Sequence, residues 1–533
     1  MRKWLPIIVL GLANFVMVVD GTVMNVSIMV VVADLDTTVS SMQLAIATFT
    51  LTMAALILAG AGLGARIGRR RTFVIGAIVY SLGSLMTALA SGFGMLFVGW
   101  SIIEGVGAAM VIPSITALAA INYTGRDRAV AYALLGGVAG AAAAAGPLIG
   151  GWATTYLSWR WVFGAETIMI IALILPLSGK IKDLSTTTKT GRFDIPGVAL
   201  SAVAMGITVL ALVSASTWGF IKPINPPFTV VGFSPTIPMV MVGLLLAWAF
   251  VEWERTAAAR GWTPLVGTDL FGIGTLRAGL ASQMILYFII AGSFFVLPLY
   301  LQTVLGLDAL QSGIRMLPLS VALFLMALIG SRLATRYPPR TLIRLGIIIA
   351  CLGLLLLIGA ITPDARGTLF AIAMTAIGVG VGLAISQIGN VNLSSVDESR
   401  SSEAGGLQGT AQNLGQSFGV ALAGTAVFIG LASSFSAAVS DNPDINSTLQ
   451  QEVVNATATG VQIVTVQQAE QALVQQGVSA EQAEAVVDDY AASKLQALRL
   501  GLGIVFLVGL VGLPLTRGLP RQTLTSAEQP EAG

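Results

Sequence analysis

The sequence predicts an all-α protein that crosses a lipid bilayer fourteen times. Of its 533 residues, 55% are apolar and only 10% are charged, whereas a soluble globular protein carries about 25% charged residues. The mean hydropathy is +0.85. Charge-free stretches of roughly 20 residues, enough to cross the hydrocarbon core as a helix, recur along the chain. They are continuous rather than alternating, which argues against a membrane barrel.

These stretches place the fourteen spans in order. Each span should be helical, because backbone groups that face lipid must be hydrogen-bonded within their own segment. The approximate limits are 5–31, 43–64, 73–91, 94–120, 129–157, 162–178, 195–216, 237–252, 278–300, 311–331, 345–362, 368–390, 405–432 and 499–516.

The basic residues indicate the orientation. When every Lys and Arg is assigned to alternate loops, 22 of the 28 fall on the side of the termini and the remaining six on the other side. The positive-inside rule therefore predicts that both termini are cytoplasmic. The abundance of Ala and Gly fits a multi-pass protein of a bacterial inner membrane.

A basic, Gly-led loop after span 2 (64–72) is echoed after span 10 (330–336). If the echo marks an internal repeat, two matching six-helix halves flank an inserted pair, spans 7 and 8. The predicted parts are an N-terminal six-helix bundle (1–178), the inserted pair with its linkers (179–277), a C-terminal six-helix bundle (278–517) and a disordered cytoplasmic tail (518–533).

One long loop, 433–497, holds eight acids against a single base, Lys494. Helix-start patterns occur at Thr465 and Ser479, with Gly477 between them as a helix stop. We predict an extracytoplasmic helical hairpin. It is either a solvated cap over span 14 or an element that gates the substrate path or binds a partner.

Metal, thiol and nucleic-acid chemistry are disfavoured. The chain has no His and one Cys, Cys351, which lies in an apolar stretch without a partner. The net charge is +2 and the basic residues are dispersed among short loops, unlike a nucleic-acid surface. We predict no catalytic residues, no metal and no cofactor, and a chain that is not an enzyme.

Three of the 26 acids fall in the interior of predicted spans: Asp20, Glu104 and Glu166. A charged carboxylate near the bilayer centre costs about 2.5 to 3.5 kcal/mol, so each such residue needs a reason to be there. Burial favours the neutral acid, so a carboxyl group lining an alternately exposed cavity can load a proton on one side and release it on the other. For Glu166, an ion pair with Arg160 near the outer surface is a structural alternative.

Two other spans combine small and polar residues. Small residues at four-residue spacing let helices touch, and proline bends a helix. Span 5 carries Gly140, Gly146, Pro147, Gly150 and Gly151. Span 13 places Gln408, Gln412 and Gln416 on one helix face, where they either hold helices together or line a wet cavity.

The motifs together resemble the major facilitator superfamily, specifically its fourteen-span drug/proton antiporter branch of the QacA and EmrB type, over almost the whole chain. Asp20-Gly-Thr22-Val-Met-Asn25-Val resembles the branch motif D-x-T-I-V-N-V, whose Asp is associated with proton and substrate coupling. Gly146-Pro147-Leu-Ile-Gly150-Gly151 matches the G-P-x-x-G-G of the antiporter motif. The W-R-W-x-F that follows is matched at 159–163.

The departures from the family pattern concern charged residues. The inner gate loop, where the family has G-x-L-x-D-R-x-G-R-R, keeps Arg66, Gly68, Arg69 and Arg70 but has Ala65 in place of the Asp. In span 4 the family's R-x-x-Q-G becomes Ser101-Ile-Ile-Glu104-Gly105. Glu166 stands where the branch usually has Asn. Two unusual acids in one half suggest altered coupling or an altered substrate.

The resemblance implies the major facilitator fold and a proton-driven exporter that rocks its two halves around a central cavity. Asp20 would be the main proton carrier, and Glu104 a second carrier or the partner of a lipophilic cation. We expect Asn25, Ser101, Gln408 and Gln412 to line the substrate cavity. The expected partners are protons, small lipophilic molecules and the bilayer, with no nucleic acid, and the protein is expected to be a monomer.

Four alternatives stay open. The first is a dedicated exporter of one endogenous lipid or secondary metabolite. The second is an uptake symporter, which the antiporter motif disfavours. The third is a membrane enzyme such as a lipid-linked glycosyltransferase, which is disfavoured because the acid-rich loop has neither an aspartate motif nor a metal ligand set and faces outside. The fourth is a transport-inactive receptor or scaffold that uses the outer hairpin.

Overall fold

The described residues contain fourteen helices that are long and apolar enough to cross a membrane, which confirms the predicted all-α fold and the span count. The computed structural model describes residues 2–183, 192–364, 367–397, 400–458 and 461–522. Most of the predicted disordered tail, 523–533, lies outside the described residues. The first thirteen spans are α1 (Leu5–Asp34), α2 (Val39–Ile67), α3 (Arg69–Ala88), α4 (Phe93–Asn122), α5 (Gly125–Tyr156), α6 (Arg160–Ser178), α7 (Ile195–Trp218), α8 (Thr236–Ala257), α9 (Gly274–Thr303), α10 (Ala309–Leu333), α11 (Pro339–Ala360), α12 (Gly367–Ser394) and α13 (Ser401–Asp441).

The last span follows two short helices. These are α14 (Ser447–Ala458) and α15 (Val466–Gln475), and the fourteenth span is α16 (Ala480–Gly512). Because the number of spans among the described residues is even, the start of α1 and the end of α16 lie on the same side of the bilayer, which we call the terminal side. The opposite side is called the far side.

The helices pack in two groups. In the first bundle, α1 packs on α5, and α4 packs on α2 and α3. In the second bundle, α12 packs on α10 and α11, while α13 packs on α9 and α16. The two bundles meet mainly where α2 contacts α13 and where α5 contacts α10. These two helix pairs form the seams of the molecule.

The inserted pair α7 and α8 lies beside one of these seams. The two helices pack on each other, and α7 also contacts both α2 and α13. Its flanking segments meet on the terminal side as a short parallel strand pair, β1 (Arg192–Phe193) with β2 (Trp262–Thr263). We call residues 192–194 and 262–273 the terminal-side strap.

The far-side loop is more helical than predicted. Spans 13 and 14 were expected at 405–432 and 499–516, but α13 continues to Asp441 and α16 starts at Ala480. The expected helix start at Thr465 is confirmed by reciprocal bonds with Gln468. Gly477 takes a positive φ of 85° after α15. The predicted hairpin therefore stands largely on extensions of two membrane helices.

Lys494 was expected in a solvated loop, but it is buried. It lies inside α16 and is 1% exposed. Its Nζ donates 2.9 Å hydrogen bonds to the carbonyl oxygens of Thr303 and Val464. Since Thr303 ends α9 and Val464 precedes α15, the lysine ties the far-side helices to the second bundle.

Candidate functional site

Glycine contacts bring α3 and α4 unusually close. A Cβ on Gly83 would lie 2.6 Å from the backbone nitrogen of Glu104, and one on Gly107 would lie 2.4 Å from the backbone nitrogen of Tyr80. The part of α4 that precedes these contacts widens into a π-helical segment over Phe97–Glu104. Such π-helical segments are rare in proteins, and those that occur are often found at functional sites. This turn sets the direction in which Glu104 projects.

The three acids predicted from the spans meet in the first bundle. Asp20 comes from α1, Glu104 from α4 and Glu166 from α6, and one carboxyl oxygen of each lies within 4.8 Å of the others. Their exposures are 0%, 0% and 4%, respectively. We call them the acid cluster. All three members of the cluster are buried in this conformation.

Two of the three carboxyl groups accept hydrogen bonds. The indole Nε1 of Trp100 donates to both oxygens of Asp20, at 3.0 and 3.2 Å. Oε2 of Glu166 accepts bonds from the Tyr80 hydroxyl at 3.3 Å and the Ser84 hydroxyl at 3.2 Å. Sequence reasoning missed these three donors, because neutral residues inside apolar spans carry no signal of which acid they will meet.

The remaining oxygens are orphaned. Among the described residues, neither oxygen of Glu104 nor Oε1 of Glu166 has a hydrogen-bond partner, and no Lys or Arg nitrogen lies within 4.0 Å of the cluster. A buried carboxylate without donor or counter-ion is strongly unfavourable. A protonated carboxyl group instead supplies an O–H that a neighbouring orphan oxygen can accept. The cluster is thus chemically suited to hold protons. The same spacing could also offer oxygen ligands to a hard cation, although the sequence predicts no metal site.

The alternative ion pair between Glu166 and Arg160 is wrong. The Arg160 guanidinium pairs with Asp34, at the end of α1, and its Nη2 donates a 2.6 Å bond to the Ala90 carbonyl. Trp159 donates to the same Asp34 carboxylate at 3.0 Å. The W-R-W segment therefore fastens the far-side end of α1, and Glu166 is left to the acid cluster one or two turns deeper.

The expected substrate-cavity residues come from three helices, α1, α4 and α13. Ser101 is fully buried and donates a 2.9 Å bond to the Ala45 carbonyl of α2. Asn25 is 6% exposed and bonds within its own helix to Gly21. Gln408 and Gln412 are half-buried on α13.

The span-5 motif lies against two helices at once. A Cβ on Gly146 would lie 1.8 Å from Oγ1 of Thr22, and one on Gly150 would lie 2.9 Å from the Cα of Val23. These contacts lie two and three residues after Asp20 on α1. The other glycines face α10: Gly140 meets the Phe324 ring, and Gly151 meets the backbone of 309–310. The carbonyl of Pro147 lies against Gly313. The motif thus joins the helix of Asp20 to the second bundle.

The inner gate loop is held by groups outside its motif. Gly68 takes a positive φ of 104°, and Arg69 donates a 3.0 Å bond to the Ala61 carbonyl. The backbone nitrogen of Arg70 donates to Asp183 at 3.1 Å. Asp183 therefore brings a carboxylate to the loop whose own acidic position is Ala65. A cavity of about 680 Å³ opens beside this loop, lined by Ile67, Gly68, Arg70, Arg71, Val74, Ile75 and Asp183.

The terminal-side strap links the two bundles. Arg66 donates a 2.7 Å bond to Oγ1 of Thr263 and lies 5.6 Å from the ring centre of Phe193. At the other end, Arg400, just before α13, forms an ion pair with Asp269. The gate loop thus contacts the inserted pair's linkers, a connection that the sequence did not indicate.

A further buried acid pair corrects the expectation that only three acids lie within spans. Glu254 is 3% exposed in α8, beyond the predicted span end at 252, and accepts a 3.1 Å bond from the Val266 nitrogen. Asp194 is fully buried and accepts bonds from Gly197 and Trp253. The pair fixes the strap to α7 and α8.

Fourteen spans in two facing bundles, with ionisable groups buried inside one of them, define a multi-pass membrane transporter. The chain belongs to the Major Facilitator Superfamily, whose family model matches residues 10–420. Its relatives and structural neighbours are transporters and not enzymes.

The curated relatives include antibiotic and drug efflux or resistance transporters. The puromycin resistance protein pur8 of Streptomyces alboniger is 30% identical over 80% of this chain and 82% of its own length. The probable actinorhodin transporter of Streptomyces coelicolor is 28% identical over 83% and 75%, respectively. The multidrug efflux pump LfrA of Mycolicibacterium smegmatis is 26% identical over 86% of both chains.

Solved structures support the fold alone. A bacterial homologue of the human lysosomal transporter Spinster, inward-facing and unoccupied, matches with a TM-score of 0.58 and 15% identity over 97% of this chain and 98% of that one. A D-xylose-proton symporter matches with a TM-score of 0.56 and 13% identity over 91% and 99%.

Proposed function

We propose that the protein is a proton-coupled exporter of lipophilic, cationic compounds that works by alternating access. The observation that carries the proposal is the acid cluster: three buried carboxyl groups with no basic partner within 4.0 Å among the described residues. Like charges at this separation in a low dielectric repel strongly, so the three cannot all be ionised together. Proton uptake and release is the chemistry that such a site performs most readily.

The hydrogen bonds suggest how protons are distributed. Glu104 has no donor on either oxygen, and Oε1 of Glu166 is also orphaned. If Glu104 is protonated, its O–H can donate a hydrogen bond to Oε1 of Glu166, and both carboxyl groups then have a hydrogen-bond partner. Asp20 is already stabilised by both contacts with Trp100, and it lies on the helix that touches the span-5 motif. Asp20 is therefore the group whose proton exchanges with the transport cycle, and Glu104 holds the second.

The same contacts suggest how protonation reaches the second bundle. Gly146 packs on Thr22, two residues from Asp20, and Gly151 packs on the start of α10. A change of charge at Asp20 that shifts α1 by a fraction of an ångström also moves α5. The two helices already touch at their glycine contacts, so one cannot move toward the other without displacing it. The contact with α10 is then remade in the other conformation.

We infer that the chain resides in a bacterial inner membrane with both termini cytoplasmic, so that the terminal side is the cytoplasm. The support is the distribution of 22 of 28 basic residues and the bacterial source of the relatives. We also propose the predicted division into an N-terminal bundle (1–178), an inserted pair (179–277) and a C-terminal bundle (278–517), with the protein acting as a monomer.

The test is substrate-driven proton release in proteoliposomes under an imposed pH gradient, with a panel of lipophilic cations. The variants are Asp20→Asn and Glu104→Gln, and the matched control is Glu254→Gln, a buried acid in a span outside the cluster. We expect Asp20→Asn to abolish coupled flux and Glu104→Gln to lower the number of protons released per substrate. Glu254→Gln should keep both. Coupled flux that survives in Asp20→Asn contradicts the proposal.

A dedicated exporter of one endogenous metabolite is the second candidate. It is favoured by relatives named for a single compound, such as the tetracenomycin C resistance and export protein of Streptomyces glaucescens, 24% identical over 79% of this chain. No response to the cation panel from folded protein, together with a compound that accumulates in a deletion strain, would select this candidate.

A further inference from the structure

The loop between α7 and α8, residues 219–235, is strongly apolar although it lies between two spans on the far side. It contains no acid and a single base, Lys222. Six large apolar side chains are exposed in it. They are Phe220 (40%), Ile221 (60%), Ile224 (50%), Phe228 (53%), Val231 (90%) and Phe233 (56%).

This exposure does not reflect an unstructured segment. Ser234 and Thr236 are fully buried, and both hydroxyls donate to the Gly219 carbonyl, at 2.6 and 2.7 Å. The backbone nitrogen of Ser234 donates to Ile221, and that of Ile224 donates to Trp218, at 2.9 and 3.0 Å. These buried hydrogen bonds hold the loop in a defined fold that leaves its apolar side chains exposed.

The tip of the loop is a two-residue hairpin turn. Val230 and Phe233 exchange backbone hydrogen bonds of 3.0 and 2.9 Å, with Val231 at φ 52° and Gly232 at φ 80°. Turns of this kind favour Asn or Gly at the first position, because a left-handed conformation crowds a β-branched side chain. The left-handed conformation costs a valine energy in any solvent, but in water its 90% exposed side chain adds a solvation cost that an apolar environment removes. The exposure therefore favours an apolar environment.

The adjoining surface identifies that environment. In the membrane window of α8, only 11% of the residues are buried inside the protein. Its exposed apolar side chains continue the surface of the loop, and they include Ile237, Met241, Leu244, Leu245 and Trp248. A surface continuous with lipid-facing helix and almost free of charge matches the bilayer interface better than a soluble partner.

We propose that the loop 219–235 is a membrane anchor whose tip, with Val231 at its apex, inserts into the far-side leaflet. It fixes the depth and tilt of the inserted pair in the bilayer. The occupant of this surface is lipid, and a second copy of the chain or another protein is the competing possibility that the test must separate.

The test is spin labelling in proteoliposomes. Cys351 is the only cysteine and is buried, so a Cys351→Ser background allows a single label at Val231→Cys. The matched control is Gln475→Cys, an exposed residue at the end of α15 on the same side of the bilayer. Collision rates with oxygen, which partitions into lipid, and with a water-soluble nickel chelate report the depth of each label.

We expect the label at 231 to collide several-fold more with oxygen and several-fold less with the nickel chelate than the label at 475. A second label at Phe228→Cys should show the same sense of difference and guards against a local effect of the first substitution. Equal nickel accessibility at 231 and 475 overturns the proposal. So does spectral broadening at 231 that disappears when labelled protein is diluted with unlabelled protein, because it would place a second copy on this surface.

Discussion

Replacing Gly151 with alanine should open the molecule on the far side. The added Cβ would lie 2.6 Å from the carbonyl oxygen of Ala309 and 2.8 Å from the Cα of Leu310, and both atoms are backbone. Ordinary contact starts at 3.4 Å, so α5 and α10 must separate by roughly 0.8 Å, an adjustment typical of overpacked interfaces. No side chain can rotate away to relieve this clash.

The cost follows from the packing. Overpacking of this kind costs about 1 to 3 kcal/mol, and it falls only on the conformation in which α5 touches α10. The gain in helix propensity from Gly to Ala, about 1 kcal/mol, applies to both conformations and cancels. The equilibrium should therefore shift toward far-side opening by a factor of roughly 5 to 150.

The assay is a distance between two spin labels on the far side, at Leu157→Cys, after α5, and Asp364→Cys, after α11, in a Cys351→Ser background. Gly151→Ala should enrich the longer distances. The control is Gly136→Ala on the same helix, where nothing lies within 4 Å of the new Cβ. If both alanine variants give the same distance distribution as the parent, the reasoning about this contact is refuted.

Two further outcomes follow from the strap and the acid cluster. Arg400 holds the pKa of Asp269 below its ordinary value of 3.8. The ion pair is therefore fully present at any pH above 3.8, and it is lost only as the pH falls through the lowered pKa of Asp269. Asp269→Asn should therefore raise hydrogen exchange in 262–273 at pH 7, whereas Glu252→Gln, in an exposed pair on α8, should not; equal exchange would show that the pair does not hold the strap. Trp100→Phe removes the donor to both oxygens of Asp20 and should slow substrate-driven proton release by about one to two orders of magnitude, and an unchanged initial rate would rule out a role for this bond.

The spans could be predicted because their signal is local. An uninterrupted apolar stretch has one stable form in lipid, so the number of helices follows from composition. The ends follow less well, because helices continue past the hydrocarbon on polar residues. This is why α13 reaches Asp441, why α16 starts at Ala480, and why Glu254 was assigned to a loop.

The acid cluster was predictable only as a set of separate residues. Asp20, Glu104 and Glu166 stood out because carboxyl groups are rare inside spans, but their convergence depends on helix rotation. The π-helical turn ending at Glu104 and the contact of Gly83 with α4 set that rotation. Both depend on packing between helices, and no spacing rule in one span reports it.

Long-range partners were predicted least well. Arg160 was considered for Glu166 on sequence proximity, but it pairs with Asp34, which is 126 positions away. The strap brings Arg66 to Thr263 for the same reason: the inserted pair folds back over loops that are remote in sequence. Such pairs need the tertiary structure, because either partner alone looks like an ordinary polar residue near the end of a span.

The position of α7 makes the molecule asymmetric toward the lipid. Because α7 contacts both α2 and α13, it covers one of the two seams between the bundles along the bilayer. Among the described elements, no inserted helix covers the other seam, between α5 and α10. If the protein exports lipophilic molecules as proposed above, a molecule that diffuses within a leaflet would reach the interface between the bundles at the seam of α5 and α10, where the close contacts are made by glycines of α5.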